Sequence, residues 1–111
     1  DDMINCGGHC YYPAEVEHAL GSFDAIRHYV IAGVADPRGV LQQVPWAFVE
    51  PVDAAAFMPA AFLRDARQHL PSYMVPRHVV TVSSIPLTSS GKPDRQQLVR
   101  LHVPDNGLND V

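Results

Sequence analysis

The chain has 111 residues, 47% hydrophobic and 18% charged, which fits one soluble globular domain with a single core and is small for a complete enzyme with a deep substrate site. A formal net charge of -4 argues against nonspecific nucleic-acid binding, which needs a basic face. No apolar run is long enough to span a bilayer and no signal peptide is present, so a cytoplasmic location is expected; the opening Asp1-Asp2, in place of an initiator methionine, is expected to lie inside a longer gene product.

Residues 1–10 read as a short strand (Met3 to Cys6), a Gly7-Gly8 turn and a return strand, hence a small hairpin. Cys6, His9 and Cys10 could supply three zinc ligands, but a structural site needs four and no second ligand pair follows, so two reduced thiols flanking the turn are expected and no metal. Pro13 takes the first position of a helix, with Glu15 and Glu17 near its positive end and Val16, Ala19 and Leu20 on one apolar face; Gly21 and Ser22 end it.

Ala25 to Val34 reads as a strand with Ile26, Val30, Ala32 and Val34 on one face and Tyr29 and Ile31 on the other, the pattern of a central strand covered on both sides. Asp36-Pro37-Arg38-Gly39 is a turn, and Trp46 to Val49 is the next strand, bracketed by Pro45 and Pro51. After Pro59, Phe62, Leu63, Ala66 and Leu70 make a helical core stripe; Ala54-Ala55-Ala56 leaves room for an earlier start, which Pro59 would then kink. Pro71 and Pro76 punctuate the exit, His78 to Val82 is a third strand, and Gln96 to Leu101 is a short final helix before a polar tail over residues 103–111. The order predicts an α+β domain, a small three-stranded sheet covered by two helices with an N-terminal β-hairpin, all within one domain spanning residues 1–111.

Between the last strand and the last helix lies Ser89-Ser90-Gly91-Lys92-Pro93-Asp94-Arg95. Gly91 opens backbone conformations closed to other residues, and Pro93 fixes the next φ, so Lys92 stands on a short, stiff turn. A lysine held this way is a point charge with three donors, suited to a carboxylate or phosphate. Taken alone, it reads first as an exposed lysine in a polar loop.

Several separated motifs together resemble one family. The segment Asp1-Asp2-Met3-Ile4-Asn5-Cys6-Gly7-Gly8-His9 with Tyr12-Pro13-Ala14-Glu15-Val16-Glu17 resembles the opening of the mobile C-terminal domain of acyl- and aryl-adenylate-forming ligases. Leu70-Pro71-Ser72-Tyr73-Met74-Val75-Pro76 is similar to the Leu-Pro-x-Tyr-Met-x-Pro motif of that superfamily, and Ile85-Pro86-Leu87-Thr88 with Gly91-Lys92-Pro93-Asp94-Arg95 to its terminal lysine motif. Val30 to Arg38 fits between them, and the resemblance covers residues 1–102 with motif order intact.

In that family a large N-terminal domain, absent from this chain, holds ATP, Mg2+ and a carboxylic acid, and the small domain caps it. An acyl-adenylate forms first. The small domain then rotates so that a thiol, coenzyme A or the phosphopantetheine of an acyl or aryl carrier protein, attacks the adenylate. The resemblance implies that Lys92 is catalytic in the first step with Gly91 supporting its loop, that Gly7, Gly8 and His9 line the thiol path, and that Asp1 is the hinge. Its implied partners are the chain's own N-terminal adenylation domain and the acceptor, and the fragment alone is expected to be inactive. Carboxylate attack on a phosphate brings two anions together, and a bridging lysine offsets the repulsion. Gly7-Gly8 would leave bare backbone beside the narrow pantetheine arm, although by itself it reads as a plain hairpin turn. As an imidazole, His9 invites a role as general base for the thiol, but the family carries varied residues there. Tyr12 and Tyr73 are expected to pack and orient loops, and the other histidines to be surface or half-buried.

One departure bears on the acceptor. Family members that use coenzyme A often carry Trp-Gly after Asp-Pro-Arg, where this chain has Gly39-Val40, and Trp46 belongs to the following strand. A carrier-protein thiol is therefore an alternative acceptor, while the neutral Gly7-Gly8-His9 segment favours a free-standing ligase over a peptide-synthetase domain. The rival of another class is a non-catalytic module of the same fold that binds a carrier protein or partner domain.

Overall fold

The computed structural model describes residues 2–104. Asp1 and most of the expected tail, residues 105–111, lie outside the described residues. Strands β1 (Ile4–Cys6) and β2 (His9–Tyr11) pair antiparallel, with Cys6 opposite His9. Gly7 and Gly8 between them have φ of 60° and 93°, the doubly positive pattern of a type I′ turn whose twist matches the flanking strands.

Helix α1 (Pro13–Leu20) starts where expected. Pro13 needs no partner for a missing N–H, and the Tyr12 amide donates to Glu15 Oε2 at 2.9 Å. Its buried residues are Pro13 and Val16, whereas Ala19, expected on the apolar face, is exposed.

Three longer strands, β3 (Ile26–Ala35), β4 (Gln43–Pro51) and β5 (His78–Thr81), form a sheet in the order β3-β4-β5. β4 runs antiparallel to β3 and parallel to β5, so the connection from β4 to β5 must cross over. Helix α2 (Pro59–His69) and a 3-10 turn at Ser72–Met74 make that crossing. Ala54-Ala55-Ala56 forms a turn instead of an early helical start, with the Ala55 amide donating to Asp53 Oδ1 at 3.0 Å. Helix α3 (Arg95–His102) closes the described chain, one residue longer at each end than expected.

β3 is covered on both faces as expected, but it is an edge strand and β4 is the central one. On one face Ile31, Ala47 and Val49 pack with Val16 of α1, Phe62 and Ala66 of α2, and Ile4 and Tyr11 of the hairpin. On the other, Val30, Ala32, Phe48 and Val82 enclose Leu98 of α3. The expected single core under two helices is thus two clusters, with the sheet between α1 and α2 on one side and α3 on the other. Ile26 joins the first cluster, opposite to its expected face, because a register shift between Ile26 and His28 reverses the alternation there.

β4 also extends through both prolines that were expected to bracket it. Pro45 O accepts from the Arg77 amide at 2.8 Å, so this residue's backbone faces β5, before the first β4–β5 pair at Trp46 and His78. No ladder bond to β3 is lost through the missing N–H. Val103, placed in the expected tail, instead packs against the Leu98 cluster and donates its amide to Val99 O.

Candidate functional site

Lys92 is the only lysine in the chain. Its loop is a closed hairpin: Leu87 bridges Pro93, the Thr88 amide donates to Lys92 O at 2.7 Å, and the Gly91 amide donates to Thr88 O at 2.9 Å. Gly91 takes φ of 87°, which an L side chain rarely adopts, so the turn depends on glycine here. Thr88 Oγ1 also accepts from the Lys92 amide at 3.3 Å. Behind the loop, the Asp94 amide donates to Pro86 O, and Asp94 Oδ1 accepts from the Gln97 amide to cap α3. The backbone of Lys92 is therefore fixed while its side chain is exposed, and among the described residues no carboxylate lies within ion-pair distance of its Nζ. A groove of about 580 Å³ adjoins the loop stem, lined by Arg27, Tyr29, Glu50, Ile85, Leu87 and Pro93. Glu50 joins its walls by accepting from the Ile85 amide and pairing with Arg27 at 3.4 Å.

The Gly7-Gly8 turn belongs to the other end of the β3–β4 ribbon. The Gly7 amide donates to Leu41 O at 2.8 Å, Cys6 bridges Gln42, and the Asn5 amide donates to Gln43 Oε1 at 2.9 Å. The Lys92 stem lies beside Arg27 and His28, where β3 begins, whereas the hairpin docks where β3 ends and β4 starts. The two groups therefore lie toward opposite ends of the β3–β4 ribbon.

Gly7 and Gly8 differ in their surroundings. A Cβ on Gly7 would come within 2.9 Å of Leu41 Cδ2, while one on Gly8 would meet nothing within 4 Å. Gly8 thus borders open space, and its amide is held by Asn5 Oδ1 at 3.0 Å. His9 stacks on Tyr73 with ring centroids 3.9 Å apart and planes 7° from parallel. Tyr11 OH donates to Tyr73 O at 2.7 Å, and burial, with Cys6 nearby, pushes its phenol well above the usual range. The Leu70 to Pro76 motif and the hairpin of the glycine turn, 62 positions apart from Tyr11 to Tyr73, are thereby joined through Tyr73, in keeping with the expected packing role. Tyr12 is half exposed and supplies the backbone start of α1.

The support beneath Leu41 was not foreseen from the sequence. Asp36, in the Asp-Pro-Arg-Gly turn, accepts from the Leu41 amide at 2.9 Å and the Arg38 amide at 3.2 Å. The Leu41 hydrogen bond first, then the Arg38 amide and guanidinium, hold the Asp36 carboxyl below the usual carboxylate range against its burial. This loop carries Gln42 at φ of 68° and exposes Val40 to 70%. Trp46 stays in β4 against His78, with centroids 4.5 Å apart. Cys6 is buried and Cys10 exposed, and among the described residues no three His, Cys, Asp or Glu converge to hold a metal. Among those residues, too, no helix is long and apolar enough to cross a membrane.

Residues 15–92 match the family model described as the AMP-binding enzyme C-terminal domain, and the chain belongs to that family. It is 36% identical over 100 residues to a dioxo-octahydroindenyl-propanoyl:CoA ligase of Mycobacterium tuberculosis, covering 90% of this chain and 19% of that protein. It is 42% identical over 99 residues to a probable non-canonical nonribosomal peptide synthetase of Salinispora arenicola, covering 88% of this chain and 1% of that protein. Among solved structures, the amide bond synthetase McbA of Marinactinospora thermotolerans superposes with a TM-score of 0.79 at 31% identity, over 92% of this chain and 20% of that one. The chain therefore spans about a fifth or less of the length of these relatives, which are a CoA ligase, a peptide synthetase and an amide bond synthetase.

Proposed function

We propose that this chain is the C-terminal mobile domain of an ATP-dependent acid–thiol ligase, which makes an acyl- or aryl-adenylate and passes the acyl group to a phosphopantetheine thiol. In this reading a larger N-terminal domain holds ATP, Mg2+ and the acid, and the enzyme works in the cytoplasm. Lys92 enters that site during adenylation and bridges the carboxylate to the α-phosphate. Asp1 is the pivot, and rotation about it exchanges Lys92 for the turn of Gly7 and Gly8, with His9 at the mouth of the thiol path.

The observation that carries this reading is the separation of the two groups. The chain's one lysine stands on a loop whose base is tied through Thr88, Gly91, Lys92 and Asp94, toward the end of the ribbon away from the glycine turn. One small rigid body can then present either end to a partner domain, which a simple binding module has no need to do. Kinship with an amide bond synthetase at 31% identity supports a second reading, in which the acceptor is an amine.

Lys92→Ala in the full-length protein tests the first step. Pyrophosphate exchange should fall by about 10²–10³, the cost of removing one electrostatic donor from a dry site. Acyl transfer from supplied adenylate should stay largely intact. Coenzyme A, a phosphopantetheinylated carrier protein and an amine should be compared as acceptors in the second step. Equal losses in both steps would make Lys92 merely structural, and transfer to the amine alone would replace the thiol reading with the second one.

A further inference from the structure

The guanidinium of Arg95 gathers three separate segments. Its Nε donates to Ile31 O at 2.8 Å, one terminal nitrogen donates to Glu17 Oε2 at 3.1 Å, and the other lies 3.6 Å from Asp2 Oδ2. Glu17 Oε2 also accepts from the Ile31 amide at 2.9 Å. Ile31 lies on the free edge of β3, so Glu17 and Arg95 together satisfy the outward N–H and C=O that a fourth strand would otherwise pair. The Arg95 side chain is 17% exposed, and these charge-assisted bonds are correspondingly sheltered from solvent.

Arg95 also begins α3, three residues after Lys92. Between them stand only Pro93, with a fixed φ, and Asp94, held at its amide by Pro86 O and at its carboxylate by the Gln97 amide. No flexible residue intervenes. At its other reach Arg95 holds Asp2, the first described residue of the chain.

We propose that Arg95 is a positioning residue for Lys92, fixing the stem of the lysine loop to the body of the domain and to Asp2, the first described residue. It rests on the proposed role of Lys92 in adenylation. Motion at the N-terminal side of Asp2 then reaches the loop through one guanidinium, instead of being lost in slack between Asp2 and β1. Arginine suits the task because its planar fork reaches three acceptors in fixed directions, whereas a lysine's three donors all leave one nitrogen.

The test compares Arg95→Met in the full-length protein with and without Lys92→Ala. Alone, Arg95→Met should lower kcat for adenylate formation by about tenfold through misplacement of a charge, with the KM for ATP nearly unchanged. Transfer from supplied adenylate should keep its rate. In the Lys92→Ala background, Arg95→Met should cause no further loss, because the group it positions is gone. Arg95→Lys should restore part of the rate. If Arg95→Met does not fold, Asp2→Ala changes only an exposed arm of the same cluster, and it should cost a few-fold in the first step and nothing in the Lys92→Ala background. The same loss in both backgrounds would overturn the proposal, as would a full rate for Arg95→Met where Lys92→Ala is crippled. Intact adenylation in Lys92→Ala itself would instead sink the functional reading, and this inference with it.

Discussion

Single side chains in this domain do the work of missing neighbours. The Tyr29 hydroxyl lies 2.6 Å from Gly21 O and 3.0 Å from Glu17 O, so its one proton is shared between the C-cap carbonyl of α1 and a carbonyl that already accepts from the Gly21 amide. Burial, then the Glu17 carboxylate, pushes its pKa up to about 12 from the ordinary 10.0 of a tyrosine. A raised pKa means that the folded state holds the proton more tightly, so this contribution is complete below about pH 10. It is lost as pH rises toward about 12. Tyr29→Phe should therefore lower stability by about 1 kcal/mol near neutral pH, measured by urea unfolding. It should also make the stability curve flatter between about pH 10 and 12, with the remaining slope owed partly to Tyr11, whose phenol is raised as well. An unchanged slope would show that Tyr29 is not the titrating group.

At the scale of elements, the hairpin is held by one loop and one close approach. Asp36 organises Leu41, Leu41 O accepts from the Gly7 amide, and Gly33 admits Ile4, since a Cβ on Gly33 would come within 3.0 Å of Ile4 Cγ1. The hairpin therefore sits rigidly on the sheet while Gly8 faces open space. Gly8→Leu would put an isobutyl group there, but at φ of 93° it also strains the turn. Gly8→Asn separates the two effects, because Asn tolerates left-handed backbone better. In the full-length protein, Gly8→Leu should form adenylate at the normal rate and accumulate it, with transfer to the acceptor falling by about 10²-fold if the thiol path is closed. Gly8→Asn should cost less in transfer and leave the unfolding midpoint nearer to that of the unchanged protein. Normal transfer in Gly8→Leu would remove Gly8 from the thiol path.

The whole molecule has two apolar clusters, one on each face of a three-stranded sheet, and Trp46 borders both. Both clusters are built by residues between Ile4 and Val103. The 111-residue chain should accordingly fold alone in a single cooperative transition, read by coincident near- and far-UV circular dichroism. It should show no ATP-dependent ligation until a large domain is supplied, because the proposed reading puts the acid and nucleotide sites on that domain. Ligase turnover by the pure chain would overturn the division of labour proposed for the two domains.

Local rules made much of this structure legible in advance. Pro13 and Pro59 opened helices, Gly7-Gly8 made the hairpin turn, and Gly91 the lysine turn, because each limits its own backbone whatever surrounds it. Motif order, carried by residues of that kind, identified the family. Strand order was not legible, since two-sided burial of β3 looks the same whether a neighbouring strand or a pair of side chains closes its edge. The face of Ile26 depended on a register shift that only pairing with β4 creates. The stacking of His9 on Tyr73 and the joining of Arg95 to Asp2, Glu17 and Ile31 bring together residues up to 93 positions apart. Sequence spacing carries no record of such contacts, because they are made by the crossover of α2 and the return of α3 over the sheet.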